Sequence, residues 1–207
     1  MNTCSKSVYM GFLRQVIYLI VMTIIVVSFW KIGDAYKNSA VMENGIFENM
    51  QMIVLALTAL VFGVNAVVNQ NYRPLLLLMS MMMLAASIRE QDAFFDELVP
   101  AIGWKWAWIF PLIGIANCIR KRSLLKEQIT HFLSSHCFHM LMTAAIIMIP
   151  IAQCLGHRSF LVDLMNNDMY DAVLIRRILE ETVELIAYFM ILLAAVESFF
   201  SFRQTRN

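Results

Sequence analysis

The feature that most narrows the possible folds is a series of apolar blocks, at about 13–31, 50–69, 74–89, 102–119, 132–155 and 178–201. About 20 apolar residues make a helix long enough to cross the hydrocarbon core of a bilayer. Away from water a backbone must satisfy its own hydrogen bonds, which an unbroken apolar run does as an α-helix. The alternating ten-residue pattern of a membrane β-barrel is absent. The expected fold is therefore all-α: a polytopic membrane protein with six transmembrane helices in one bundle, forming a single integral-membrane domain over residues 1–207.

Composition agrees with this reading. The chain is 60% hydrophobic and 15% charged, with a mean hydropathy of +0.66, where a soluble domain has about 45–50% apolar and about 25% charged residues. A net charge of +1 gives no footprint for nucleic acid. Cys4, Cys118, Cys137 and Cys154 show no paired spacing and read as small apolar residues. No linker, internal repeat or low-complexity tract divides the chain.

An even number of spans places both termini on one side. The Arg120-Lys121-Arg122 cluster makes that side cytoplasmic, so the expected location is the cell inner (plasma) membrane, multi-pass, with cytoplasmic N- and C-termini. Glu127 and Glu197 are then the acids that do not lie on the outer side.

Several blocks carry polar signals. Gln51, Thr58, Asn65 and Asn69 recur at seven- and four-residue steps along one edge of the second block, and this edge should face other helices. Asn65, near mid-membrane, is expected to line a polar path and to tolerate leucine. Asn69 to Pro74 reads as a tight hairpin with Pro74 opening the third helix. Pro150 is expected to kink the fifth, and Asn167 to cap a long last helix. His131, His136 and His139 read as packing or pairing groups rather than haem or zinc ligands, and the Met79 to Met83 run as flexible packing.

The most informative stretch opens the last block. At about 100° per residue, Arg177, Glu180, Glu181, Glu184 and Tyr188 share a sector roughly 100° wide. Such a stripe cannot face lipid, where an isolated charge costs at least about 2.5 kcal/mol. With Glu48 and Gln51 from the second block and Arg89, Glu90 and Asp92 from the end of the third, it predicts a polar centre near the outer face. Glu180 and Glu184 are expected against Arg89 or Arg177. Oxygen-rich centres take hard cations, Ca²⁺ or Mg²⁺, and intramembrane acids also relay protons; the structural alternative is a set of Arg–carboxylate pairs that fixes helix register.

No catalytic residue is assigned. Gly-x-Ser-x-Gly and His-Glu-x-x-His motifs are absent, and no Ser, Cys or His falls in the acidic centre. Leu185 stands where the Glu-Glu-x-x-x-Arg signature of CAAX-type membrane proteases requires arginine. The expected function is a small transporter or an ion- or proton-coupled channel. The alternative is a non-enzymatic membrane scaffold or sensor acting through partner proteins, and the third reading is a membrane-embedded hydrolase. Expected partners are the lipid bilayer, further copies of the chain or other membrane proteins, and no nucleic acid.

Overall fold

The computed structural model describes residues 3–36, 45–98, 100–157 and 169–203. The described chain is helical without strands. Its helices are α1 (Thr3–Tyr36), α2 (Ile46–Val68), α3 (Arg73–Arg89), α4 (Asp92–Leu98), α5 (Ile109–Arg120), α6 (Arg122–Leu133), α7 (His136–Ile146), α8 (Gln153–Gly156) and α9 (Met169–Arg203). Five segments are long and apolar enough to cross a membrane, and six if the bent pair Asp92–Leu98 and Gly103–Arg120 counts as one.

Helix α2 is the centre of the packing, lying against α3 on one side and α9 on the other. Its contact with α3 is directed by two serines a heptad apart: Ser80 donates to the Ala59 carbonyl at 2.7 Å, and Ser87 to the Met52 carbonyl at 3.0 Å. Against α9 the fully buried Ala66, Ala194 and Ala195 leave little side-chain bulk between the backbones, the arrangement that helices use when lipid competes equally for apolar surface. The expected polar edge of α2 lies in this same seam, with Gln51, Thr58 and Asn65 fully buried and Asn69 nearly so.

Asn65 joins two helices. Its amide donates to Ser198 Oγ of α9 at 2.5 Å, and its oxygen accepts from Asn69. The expectation that Asn65 lines an open path and accepts leucine is therefore corrected. A leucine would remove the hydrogen bond that Ser198 Oγ accepts, leaving Ser198 only its own bond to the Ala195 carbonyl.

The first helix is peripheral. Most of its apolar surface is uncovered, and it meets the bundle through α9. Near one end Phe29 is buried between Phe47 and Phe189, with ring centroids 6.1 and 5.8 Å away.

The expected hairpin at 69–74 is a single 3₁₀ turn, Gln70–Tyr72, with Pro74 in the first turn of α3. There its missing N–H costs no helical bond. The fourth block is not one straight helix. It begins as a 3₁₀ segment, Gly103–Trp108, bent 99° from α4. Gly103 has φ +59°, and a Cβ there would sit 1.9 Å from Asp96 Oδ1. Asp96 fills that space and accepts the Trp104 N–H at 3.3 Å.

The fifth block starts later than expected, because Ser135 caps α7. Its side chain accepts the Phe138 N–H at 3.2 Å, so residues 132 and 133 belong to α6 instead. Pro150 falls in a π-helical turn, Ile147–Ala152, where the wider spiral absorbs a ring that an α-helix would have to clash with. Helix α9 then runs unbroken for 35 residues. The proposed cap at Asn167 lies outside the described residues.

Replacing Asn65 with leucine should lower stability by about 0.6–2 kcal/mol. Thermal unfolding in detergent measures this; an unchanged melting temperature would mean that the Asn65–Ser198 bond contributes nothing to the α2–α9 seam.

Candidate functional site

The expected acidic centre forms where the first turns of α2, the end of α3 and the first half of α9 meet. Gln51 Nε2 donates to Glu181 Oε2 at 2.9 Å and lies 3.3 Å from the Glu181 carbonyl oxygen. Tyr188 donates its hydroxyl to Glu90 Oε1 at 2.8 Å. These two bonds tie α9 to α2 and to α3. Close by, Gln91 Nε2 approaches Asn49 Oδ1 at 3.4 Å.

The carboxylates sense one another. Glu181 lies within electrostatic range of Glu48, Glu90 and Glu180, and Glu184 within range of Glu181, Glu90 and Glu180. The cation that offsets this repulsion at Glu90 and Glu184 is Arg89. Its nearest contact is 3.8 Å from Glu90 Oε1, and its side chain is 65% exposed. Gln51 adds a further demand, since its Oε1 is buried with no hydrogen-bond donor. Acceptors outnumber donors around Gln51 and Glu181, whereas beside Glu180 the buried Nε of Arg176 is a donor without a partner.

Arg177 is not part of it. It is exposed, and among the described residues the ion pairs are Arg14–Glu197 and Arg89–Glu90. The expected pairing of Glu180 or Glu184 with Arg177 is thus corrected: a long guanidinium on the outer side of the helix keeps its hydration by turning outward. Asp92 is exposed too, and its carboxylate accepts the Ala93 N–H at the start of α4. Glu180 occupies the space where a Gly156 side chain would begin. Beside it, Arg176 donates to the Gly156 carbonyl, so that a cation meets the negative end of α8.

Burial pushes the Glu90 carboxyl above its ordinary value, aided by Glu48 and Asp92; the Tyr188 hydrogen bond and Arg89 oppose that rise. An acid whose folded-state value is raised holds its proton more firmly when folded. Its contribution to stability is present at low pH and lost as pH climbs through the raised value.

A second polar centre lies near the other end of the bundle. Glu197, only 1% exposed, accepts from Arg14 Nε at 3.2 Å, from an Arg14 terminal nitrogen at 3.0 Å and from the Tyr18 hydroxyl at 2.8 Å. The same guanidinium lies 4.7 Å from the centre of the Phe200 ring. The sequence held a signal for this pair: an acid near the inner end of the last apolar block and a cation opening the first, both counted toward the same membrane face.

The histidines make no centre. His131 packs against Tyr72 and Phe202, His139 Nδ1 lies 2.8 Å from the Ser135 carbonyl, and His136 is exposed. Among the described residues no group of three or more His, Cys, Asp or Glu side chains is placed to hold a metal ion.

Two outcomes follow from these geometries. Glu90→Gln keeps an oxygen for Tyr188 while removing a buried charge, so it should melt above wild type near about pH 8, with the gap closing toward about pH 4; a constant gap would mean that Glu90 does not titrate with folding. Arg14→Leu should cost on the order of 3 kcal/mol by stranding a buried carboxylate. Adding Glu197→Gln to that variant should recover part of the loss, because neither charge is then left without its partner.

No family model, curated protein or solved structure matches this chain.

Proposed function

We propose that this chain is a multi-pass membrane protein of six spans with cytoplasmic ends in the cell inner membrane, and that it works as a small proton-coupled transporter. Its acidic centre takes up and releases protons on the outer side. The observation that carries this reading is the excess of acceptors among half-buried carboxylates around the buried Gln51. Gln51 Oε1 has no donor, and Glu48, Glu90, Glu180, Glu181 and Glu184 repel one another around an arginine that is largely exposed. Each added proton supplies a donor and removes a charge, relieving both deficits in a medium where intramembrane acids typically serve as relays.

A proton suits the centre better than Ca²⁺ or Mg²⁺. Those ions need about six to eight oxygen ligands converging on one point, whereas a proton needs only a neighbouring pair. The seam between α2 and α9 favours a transporter over an open channel, since Asn65, Asn69 and Ser198 bond to one another with no room between them. Passage to the basic end then requires these helices to separate, as in alternating access.

Liposomes containing the full chain and an internal pH dye test the reading. Under an imposed inside-negative potential, wild type should acidify the lumen faster than protein-free vesicles, and Glu184→Gln should cut the excess by roughly tenfold, as expected for removal of an intramembrane relay acid. Proton entry equal to that of empty vesicles, with or without imposed ion gradients, would overturn it.

A further inference from the structure

We infer that α6 and the basic corner before it form a binding surface for anionic phospholipid headgroups, at the end of the bundle opposite the acidic centre. The inference rests on the reading of the chain as membrane-spanning. Helix α6 follows α5 after a single turn residue, Lys121. Its inner face is fixed by two residues one turn apart. Gln128 is buried and donates to the Asn71 carbonyl. Phe132 is buried against Phe138 and Phe202, with ring centroids 5.3 and 6.5 Å away.

Another side of the helix, about 110° round from that face, presents a mixed stripe. Arg122, Lys126, Ile129 and Leu133 follow one another at steps of four, three and four, so they share one face, and all are exposed. Cations occupy the first half of that stripe and large aliphatic side chains the second. Neither bulk solvent suits it: water would wet Ile129 and Leu133, and hydrocarbon would strand Arg122 and Lys126. At the boundary both halves are satisfied, because aliphatic side chains enter the acyl region while long basic side chains extend their stems toward phosphate.

The cations also outnumber the acids in this corner, where Glu127 is the acid that the α6 sequence carries. Arg120, Lys121, Arg122 and Lys126 are exposed and form no ion pair among the described residues, and Arg73, also exposed, opens α3 beside α6. Glu197, the buried acid nearest this end, is already held by Arg14 and Tyr18. A net excess of positive charge at headgroup depth is complementary to a lipid with a net negative phosphate. A zwitterionic lipid brings its own ammonium and offers these side chains less.

The test uses the full chain, purified in a nonionic detergent and supplied with equal amounts of phosphatidylglycerol and phosphatidylcholine, with retained lipid counted by native mass spectrometry. Wild type should retain the anionic lipid about fivefold over the zwitterionic one, the ratio that one favourable basic contact supports. In the Arg120→Gln/Lys121→Gln/Arg122→Gln/Lys126→Gln variant the ratio should fall toward one. Because that cluster also sets topology, raising the salt on wild type to about 1 M, where screening acts within about 3 Å, provides a measurement without mutation and should remove the preference too. Equal retention of both lipids by wild type, or a preference that survives salt, would overturn the inference and leave the stripe to a protein partner. Release of wild type from membranes by alkaline carbonate would instead overturn the membrane-spanning reading itself.

Discussion

The bundle depends on a constraint that apolar surroundings impose: a polar group without water must find its partner on another helix. Helix α2 carries four such groups along one edge, and α9 answers two of them near the two ends of the seam. Gln51 meets Glu181, and Asn65 meets Ser198. Thr58 satisfies itself midway by donating to the Val54 carbonyl of its own helix. Two interhelical bonds so far apart fix rotation and axial register together. A slide of either helix by one residue would break both, and lipid could replace neither. Apolar packing alone would leave that register undetermined, since acyl chains solvate leucine as well as another helix does.

The same rule explains why the two polar centres differ. Glu197 has a bidentate arginine and a tyrosine hydroxyl, so its charge and its lone pairs are both answered. At the acidic centre each hydrogen bond leaves something over. Gln51 spends its donor and keeps a bare acceptor, and Glu90 gains one hydroxyl while facing other carboxylates. One centre is balanced and the other is short of positive charge. A balanced pair is suited to holding helices together, whereas an unbalanced one leaves charge for other groups to answer.

Much of this was legible in the residues. The seven-residue recurrence of Gln51, Thr58 and Asn65 gave the buried edge of α2, and the shared sector on α9 put Glu181, Glu184 and Tyr188 at one site. Periodicity reports which residues face inward and nothing about which of several inward neighbours they meet. For that reason Arg177, inside the predicted sector, turned outward, while Arg14, counted only as a marker of orientation, became the partner of the most buried acid. Helix α6 escaped notice because its stripe mixes cations with aliphatics and so resembles neither a span nor a soluble amphipathic helix. Asn65 was read as a conduit because sequence cannot distinguish a polar side chain facing water from one facing a serine.

The pairing of Arg14 with Glu197 also has a consequence for the order in which the molecule is made. The two residues are 183 positions apart, so the cation is made well before its carboxylate. At about 5–20 residues per second, the first helix waits on the order of 10–40 s with an unanswered guanidinium before the ninth emerges. Closure of α9 against α1 is thus a late event, and until it happens the Arg14 guanidinium lacks the carboxylate that holds it in the folded bundle.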